Sequence, residues 1–119
     1  MRKDDQVKDL KENYNAKIVL NSETPEFWND LQALVAELKP KVMYEYIGGE
    51  FPGKVFATLP EESQLVVVGN LTGGNVVINQ RDLLFKDLSV TAFYLTRWLK
   101  RVSREVRDSS FKQIADDLQ

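Results

Sequence analysis

Residues 44–56, YEYIGGEFPGKVF, decide how this chain is read. A β-branched and aromatic run, Val42 to Ile47, leads into Gly48 and Gly49. Gly48 and Gly53 bracket four residues and Lys54 follows. That spells G-x-x-x-x-G-K after a strand, close to a nucleoside-triphosphate loop. The chemistry does not follow the spelling. Val55 stands where a hydroxyl should hold magnesium, and it has no oxygen. Glu50 puts a negative charge inside the loop, and Pro52 removes an N–H from any anion cradle. An acidic first turn with an early proline is ordinary helix-start chemistry. The stretch therefore reads as a strand, a Gly-Gly turn and a helix beginning near Glu50. Glycine in that turn permits positive φ and close approach of another backbone or a ligand. A simple tight turn and a dinucleotide lying across the strand end are both compatible with it.

The flanking sequence alternates between helix and strand signals. Residues 3–13 read as a helix, with Asp4 and Asp5 at its start and Asn15 suited to the left-handed position after its end. KIVL, 17–20, is a short strand candidate. Thr24 and Pro25 supply a cap and a first helical residue. Phe27, Leu31, Leu34, Val35 and Leu38 then recur at helical spacing until Pro40. The strand through residue 47 gives way to a short helix carrying Phe51, Val55, Phe56 and Leu59, stopped by Pro60. QLVVVG, 64–69, is a nearly continuous apolar strand, as suits a strand covered on both faces of a parallel sheet. NLTGGN is a loop, QRDLLF (80–85) a helical turn, and SVTAFYL (89–95) a fourth strand. From about Arg97 to Leu118 the chain reads as helix, with Val102, Val106, Phe111, Ile114 and Leu118 as its apolar side. Such alternation predicts an α/β domain with a mostly parallel sheet. Ligands of these sheets sit at the carboxyl ends of the strands. That directs attention to Asn21–Ser22, to Ile47–Gly49, to the loop from Gly69 to Asn75, and to Phe93–Thr96.

Composition narrows the chemistry. The chain has 119 residues, enough for one domain, with 43% apolar and 29% charged residues. The formal charge of -2 gives no argument for a nucleic-acid partner. Histidine and cysteine are both absent, which excludes disulfides, Cys/His zinc sites and Ser-His or Cys-His nucleophile pairs. No apolar run approaches the roughly 18 residues of a membrane helix, and MRKDDQVKDLKE has no signal-peptide core. The expectation is an intracellular protein, cytoplasmic or mitochondrial. Glu45, on a strand near the expected cleft, suits a hydrogen-bonded structural role better than acid-base catalysis, since no second carboxylate is spaced to work with it. Arg97, Lys100, Arg101, Arg104 and Arg107 form a basic run, read as a solvated helix face, with docking on an acidic partner as the alternative. Trp98 is expected to be partly buried, and Trp28 to pack on a neighbour or partner.

Three pieces, YEYIGGEFPGKVF, LVVVGNL and DLLFKDLSVTAFYLTRWL, together resemble the medium-chain dehydrogenase/reductase superfamily, in its zinc-free quinone reductase and enoyl reductase branch. RKDDQVKDLKENYNAKIVLNS extends the resemblance upstream to a helix and third strand of the cofactor domain. The resemblance implies a Rossmann fold, hydride transfer from NADPH and no metal. By position it implies Gly48 and Gly49 beside the ribose or phosphate path. Gly69, Asn70 and Leu71 would line the nicotinamide side, and Phe93, Tyr94 and Leu95 would cover it. Asn21 and Ser22 would lie near the adenine, with Arg2 facing an adenosine 2′-phosphate. Plain core packing is the competing reading for Phe93 and Leu95, and a frayed terminus for Arg2.

The same resemblance implies gaps. The glycine-rich fingerprint, strands one and two with their crossover helix, and the catalytic domain have no counterpart, so residues 1–119 correspond to part of an NAD(P)-binding domain. In the order 3-2-1-4-5-6 the chain would supply strands 3 to 6. KIVL and the Val42–Ile47 strand would then face a gap two strands wide, at ~4.8 Å per strand. Bare strand edges are sticky. Another chain can supply the strands, strands 3 and 4 can pair directly, or the chain can pair with its own copy through SVTAFYL. The functional expectation is a cofactor-domain fragment that acts through protein contacts and does little catalysis alone. An active reductase completed by a second chain and a scaffold subunit of a larger assembly are the alternatives.

Overall fold

Parallel strand pairing organises the chain, and each pairing needs a crossover long enough to return the backbone to the same end of the sheet. The computed structural model describes residues 3–118. Among them are α1 (Asp4–Asn13), α2 (Phe27–Leu38), β1 (Val42–Glu45), α3 (Glu50–Ala57), β2 (Gln64–Val67), α4 (Gln80–Phe85), β3 (Ser89–Ala92), α5 (Leu95–Arg101) and α6 (Arg104–Asp117). The strands form one sheet in the order β1-β2-β3, all parallel. Val42 lies opposite Gln64, and Gln64 opposite Ser89. All three carboxyl ends therefore open on one edge of the domain.

Only one face of this sheet is well covered. Phe56 and Leu59 at the end of the first crossover bury against Leu65 of β2 and Leu88 ahead of β3. Met43, Val67, Val76, Ile78 and Leu83 pack around them. Successive strand side chains point to opposite faces, so Val42 and Tyr44 turn away from this core. They are 47% and 64% exposed. A second cluster joins α2 to α3: Phe27 meets Trp28 at 5.1 Å and Phe51 at 5.6 Å between ring centroids.

Several local readings hold for the reasons the sequence suggests. Asn15 takes φ 52° after α1. Lys39 takes φ 47° at the end of α2, and Pro40 prevents continuation. The helical turn expected over 80–85 is α4, and Asn79, which the sequence reading does not single out, caps it by accepting the Arg81 N–H at 2.9 Å. Other readings are corrected. KIVL is not a strand: residues 17–20 run as irregular chain, outside the sheet. A strand exists through its ladder, and the described sheet begins at β1, so apolar β-branched content alone does not make one here. The fourth predicted strand, 89–95, ends at Ala92, because β2 offers its last ladder acceptor, the Val67 carbonyl, to the Phe93 N–H at 2.9 Å. The α2 helix starts at Phe27 and not at Pro25, because Thr24 closes a turn onto the Asn21 carbonyl at 2.9 Å through its hydroxyl. The helix expected over 97–118 is broken at Val102–Ser103. Ser103 is extended, and its hydroxyl accepts from the Val106 N–H at 3.2 Å to start α6.

Candidate functional site

A cleft of about 300 Å³ opens at the carboxyl ends of β1 and β2. It is lined by Glu45, Gly48, Val67, Gly69, Asn70, Gly74, Asn75 and Val76. Its position follows from topology: two neighbouring parallel strands each release a loop at this edge, and the loops meet.

The meeting is a dense backbone clasp. The Glu45 carbonyl accepts the Val68 N–H at 2.8 Å and the Gly69 N–H at 3.2 Å. Leu71 N–H donates to Tyr46 O at 3.0 Å, and Thr72 N–H to Ile47 O at 2.8 Å. The Thr72 hydroxyl also donates to Ile47 O at 2.8 Å and accepts from the Gly74 N–H at 3.2 Å. Gly49 N–H donates to Gly74 O at 3.2 Å. Gly48 has φ 80°, and a Cβ there would stand 2.5 Å from Gly74 O and 2.6 Å from Asn70 Oδ1. Glycine is required at Gly48 for both reasons.

Glu45 anchors the floor. It is 2% exposed. Its Oε1 accepts from the Ile47 N–H, and from the Gly48 N–H at 2.6 Å. Its Oε2 is buried and makes no hydrogen bond. These bonds give Glu45 the structural part that its place on a strand suggested. They also show why the triphosphate spelling carries no such site. The Gly48 and Gly49 N–H groups are already spent on Glu45 and Gly74. Lys54 lies on α3 paired with Glu50 at 3.5 Å, both side chains exposed.

A second hollow, of about 450 Å³, lies at the end of β3 among Ala92, Phe93, Tyr94, Arg97, Trp98 and Arg101. Trp98 is half-buried, with its ring 6.3 Å from Phe93. The predicted residues thus divide. Gly48, Gly69 and Asn70 line the first cleft, with Gly49 in the turn beside it. Phe93 and Tyr94 line the second hollow. Leu71 is 85% exposed and lines neither, although its N–H is part of the clasp. Leu95 is the first residue of α5 and is also outside both linings. Asn21 is bound to α1 through Asp4 Oδ1 at 2.8 Å and accepts from the Glu23 N–H at 3.0 Å. Ser22 follows it in that half-buried turn. Arg2 lies outside the described residues. The role of Thr72 as the clasp was missed. The signal for it is a hydroxyl residue directly before Gly-Gly in a loop at a strand's carboxyl end. Of the basic run, Arg104 and Arg107 face solvent pairings with Asp108 at 3.4 and 3.3 Å. Among the described residues no three His, Cys, Asp or Glu side chains gather as a metal site requires. No helix among them is long and apolar enough to cross a membrane.

The parallel three-stranded sheet and its flanking helices have the fold of part of larger reductase chains. The structural homologues are quinone and enoyl reductases. A protein described as an NADPH:quinone reductase from Mesorhizobium loti superposes with a TM-score of 0.84 at 23% identity, over 100% of this chain and 36% of that one. The mitochondrial 2-enoyl thioester reductase heterodimer Etr1p/Etr2p from Candida tropicalis gives a TM-score of 0.77 at 18% identity, over 95% of this chain and 33% of that one. An Etr1p structure holding NADP and crotonyl-CoA gives 0.78 at 18% identity, covering 96% and 33%. In sequence, the chain is 26% identical over 117 residues to the mitochondrial enoyl-[acyl-carrier-protein] reductase of Dictyostelium discoideum, 95% of this chain and 32% of that protein. No family model matches. The chain spans about a third of the length of these relatives.

Proposed function

We propose that this chain is the later part of an NADP(H)-binding Rossmann domain of a quinone or enoyl reductase-like oxidoreductase, and that by itself it acts through protein contacts and not through catalysis. The carrying observation is the cleft at the ends of β1 and β2, in a fold that matches one third of NADP-using reductases. Bound NADPH would supply a hydride. Gly48, Gly69, Asn70 and Gly74 would hold its uncharged nicotinamide-ribose end. The fit is selective. The loop N–H groups are already used internally, and the Glu45 carboxylate repels phosphate, so this edge suits sugar or amide and not pyrophosphate. Without an anchored pyrophosphate, binding by the chain alone is weak, in the millimolar range. Titration with NADPH, followed by the fluorescence of Trp28 and Trp98, tests this. Micromolar binding by the isolated chain overturns it.

A second reading is an active reductase completed by another chain that adds strands beside β1. The position of β1 at the end of the described sheet, paired there with β2, favours it, since an open strand edge is a template for pairing with another chain. A native mass larger than 13.7 kDa, with quinone- or enoyl-dependent NADPH oxidation in the purified particle, is the expected result. A monomer without oxidation rejects it. Self-association through β3 would instead give a dimer of a single chain.

A further inference from the structure

The geometry points to Glu45 as a ligand-binding residue: its second carboxylate oxygen is an acceptor for an uncharged O–H or N–H donor of whatever fills the β1–β2 cleft. This rests on the proposed cofactor reading and extends it to a residue and a ligand chemistry. The argument starts from an imbalance. A carboxylate 98% withdrawn from solvent has four lone-pair sites to satisfy. Oε1 takes two backbone N–H groups, those of Ile47 and Gly48. Oε2 takes none, although it is buried. Buried polar atoms are normally paired, because an unpaired one forfeits its hydration with no return.

A purely structural cap does not need this second oxygen. Asparagine or serine satisfies turn N–H groups at lower desolvation cost. Glu45 is one of the residues that line the cleft, together with Asn70, Gly74 and Asn75. The charge on Glu45 decides the ligand's chemistry. It strengthens a hydrogen bond from a neutral donor and opposes an anion. Sugar hydroxyls and a carboxamide N–H₂ share the donor chemistry; a phosphate lacks it.

The test is a ¹H–¹⁵N chemical-shift titration of the full chain and of Glu45→Gln with four probes at millimolar concentration: NADPH, the uncharged reduced (dihydro) nicotinamide riboside, nicotinamide and inorganic pyrophosphate. Gln keeps an oxygen for the Ile47 and Gly48 N–H groups, so their amide shifts and the melting temperature should stay close to the parent's. The expected result is that NADPH and the riboside move the Gly48, Gly69, Asn70 and Gly74 amides of the parent, and that pyrophosphate does not. Glu45→Gln then weakens riboside binding on the order of tenfold. Nicotinamide weakened equally identifies the carboxamide as the donor, and nicotinamide unaffected identifies a ribose hydroxyl. Equal riboside affinity in parent and variant overturns the role of Glu45 and leaves the cofactor reading standing. Perturbation of these amides by pyrophosphate overturns the chemistry assigned to the cleft, and needs only the parent chain. Silence toward both NADPH and the riboside overturns this inference together with the reading beneath it.

Discussion

The Gly48 N–H donates to Oε1 of Glu45 at 2.6 Å, three residues back along the chain, so the end of β1 folds over its own buried side chain. Gly48 itself takes φ 80°, and the Gly74 carbonyl oxygen lies 2.5 Å from where its Cβ would be. Gly48→Ala combines a disfavoured backbone with a backbone clash. It should destabilise the domain by about 1–3 kcal/mol, read as a lower urea midpoint at unchanged slope. A midpoint equal to the parent's would mean that the clasp yields freely.

Gly53 is under a harsher constraint. A Cβ on it would stand 1.7 Å from the Val77 carbonyl oxygen. The two segments must separate to admit even one methyl. Gly53→Ala is therefore expected to cost about 3 kcal/mol or more, at the upper end of overpacking effects. Loss of the cooperative thermal transition is the extreme outcome. Stability within the error of the parent's would contradict the packing of α3 on the 76–78 segment.

Phe56 is fully buried at the centre of the core, whereas Leu71 is 85% exposed. Truncating each to alanine separates packing from composition. Phe56→Ala should lose about 3–5 kcal/mol and Leu71→Ala should stay within about 0.5 kcal/mol of the parent. Chemical denaturation of the pair checks both, and similar losses would show that Leu71 is covered in solution.

Lys54 and Val55 test the discarded triphosphate spelling. Lys54→Met breaks only an exposed pairing with Glu50, worth at most about 1 kcal/mol. Val55→Thr restores the hydroxyl the motif lacks, yet the loop N–H groups remain committed to Glu45 and Gly74. Calorimetry with Mg-ATP should detect no binding to the parent or to either variant. Binding gained by Val55→Thr would reinstate the motif.

Much of the architecture is legible along the chain because it is local. Pro40, Pro60 and Asn15 each punctuate an element through their own backbone, and a one-dimensional pattern contains that information. The Val42–Glu45, Gln64–Val67 and Ser89–Ala92 strands are visible as β-rich runs for the same reason. The error at Thr24 and the missed break at Ser103 come from local competition, where one hydroxyl serves equally as a helix cap and as a turn closer.

The amino-acid sequence by itself determined an α/β alternation, a chain without histidine or cysteine chemistry, and a Gly-Gly turn that is no triphosphate loop. Tertiary structure alone decided which β-rich runs are strands, because pairing is a property of two segments: KIVL has strand composition and lies outside the sheet. It also decided that loops 47–49 and 69–76, separate in the chain, clasp each other, as the Thr72 hydroxyl does to the Ile47 carbonyl across 25 positions. And it decided that Glu45 is buried with one oxygen satisfied and one not, since no spacing along a chain records where water is excluded.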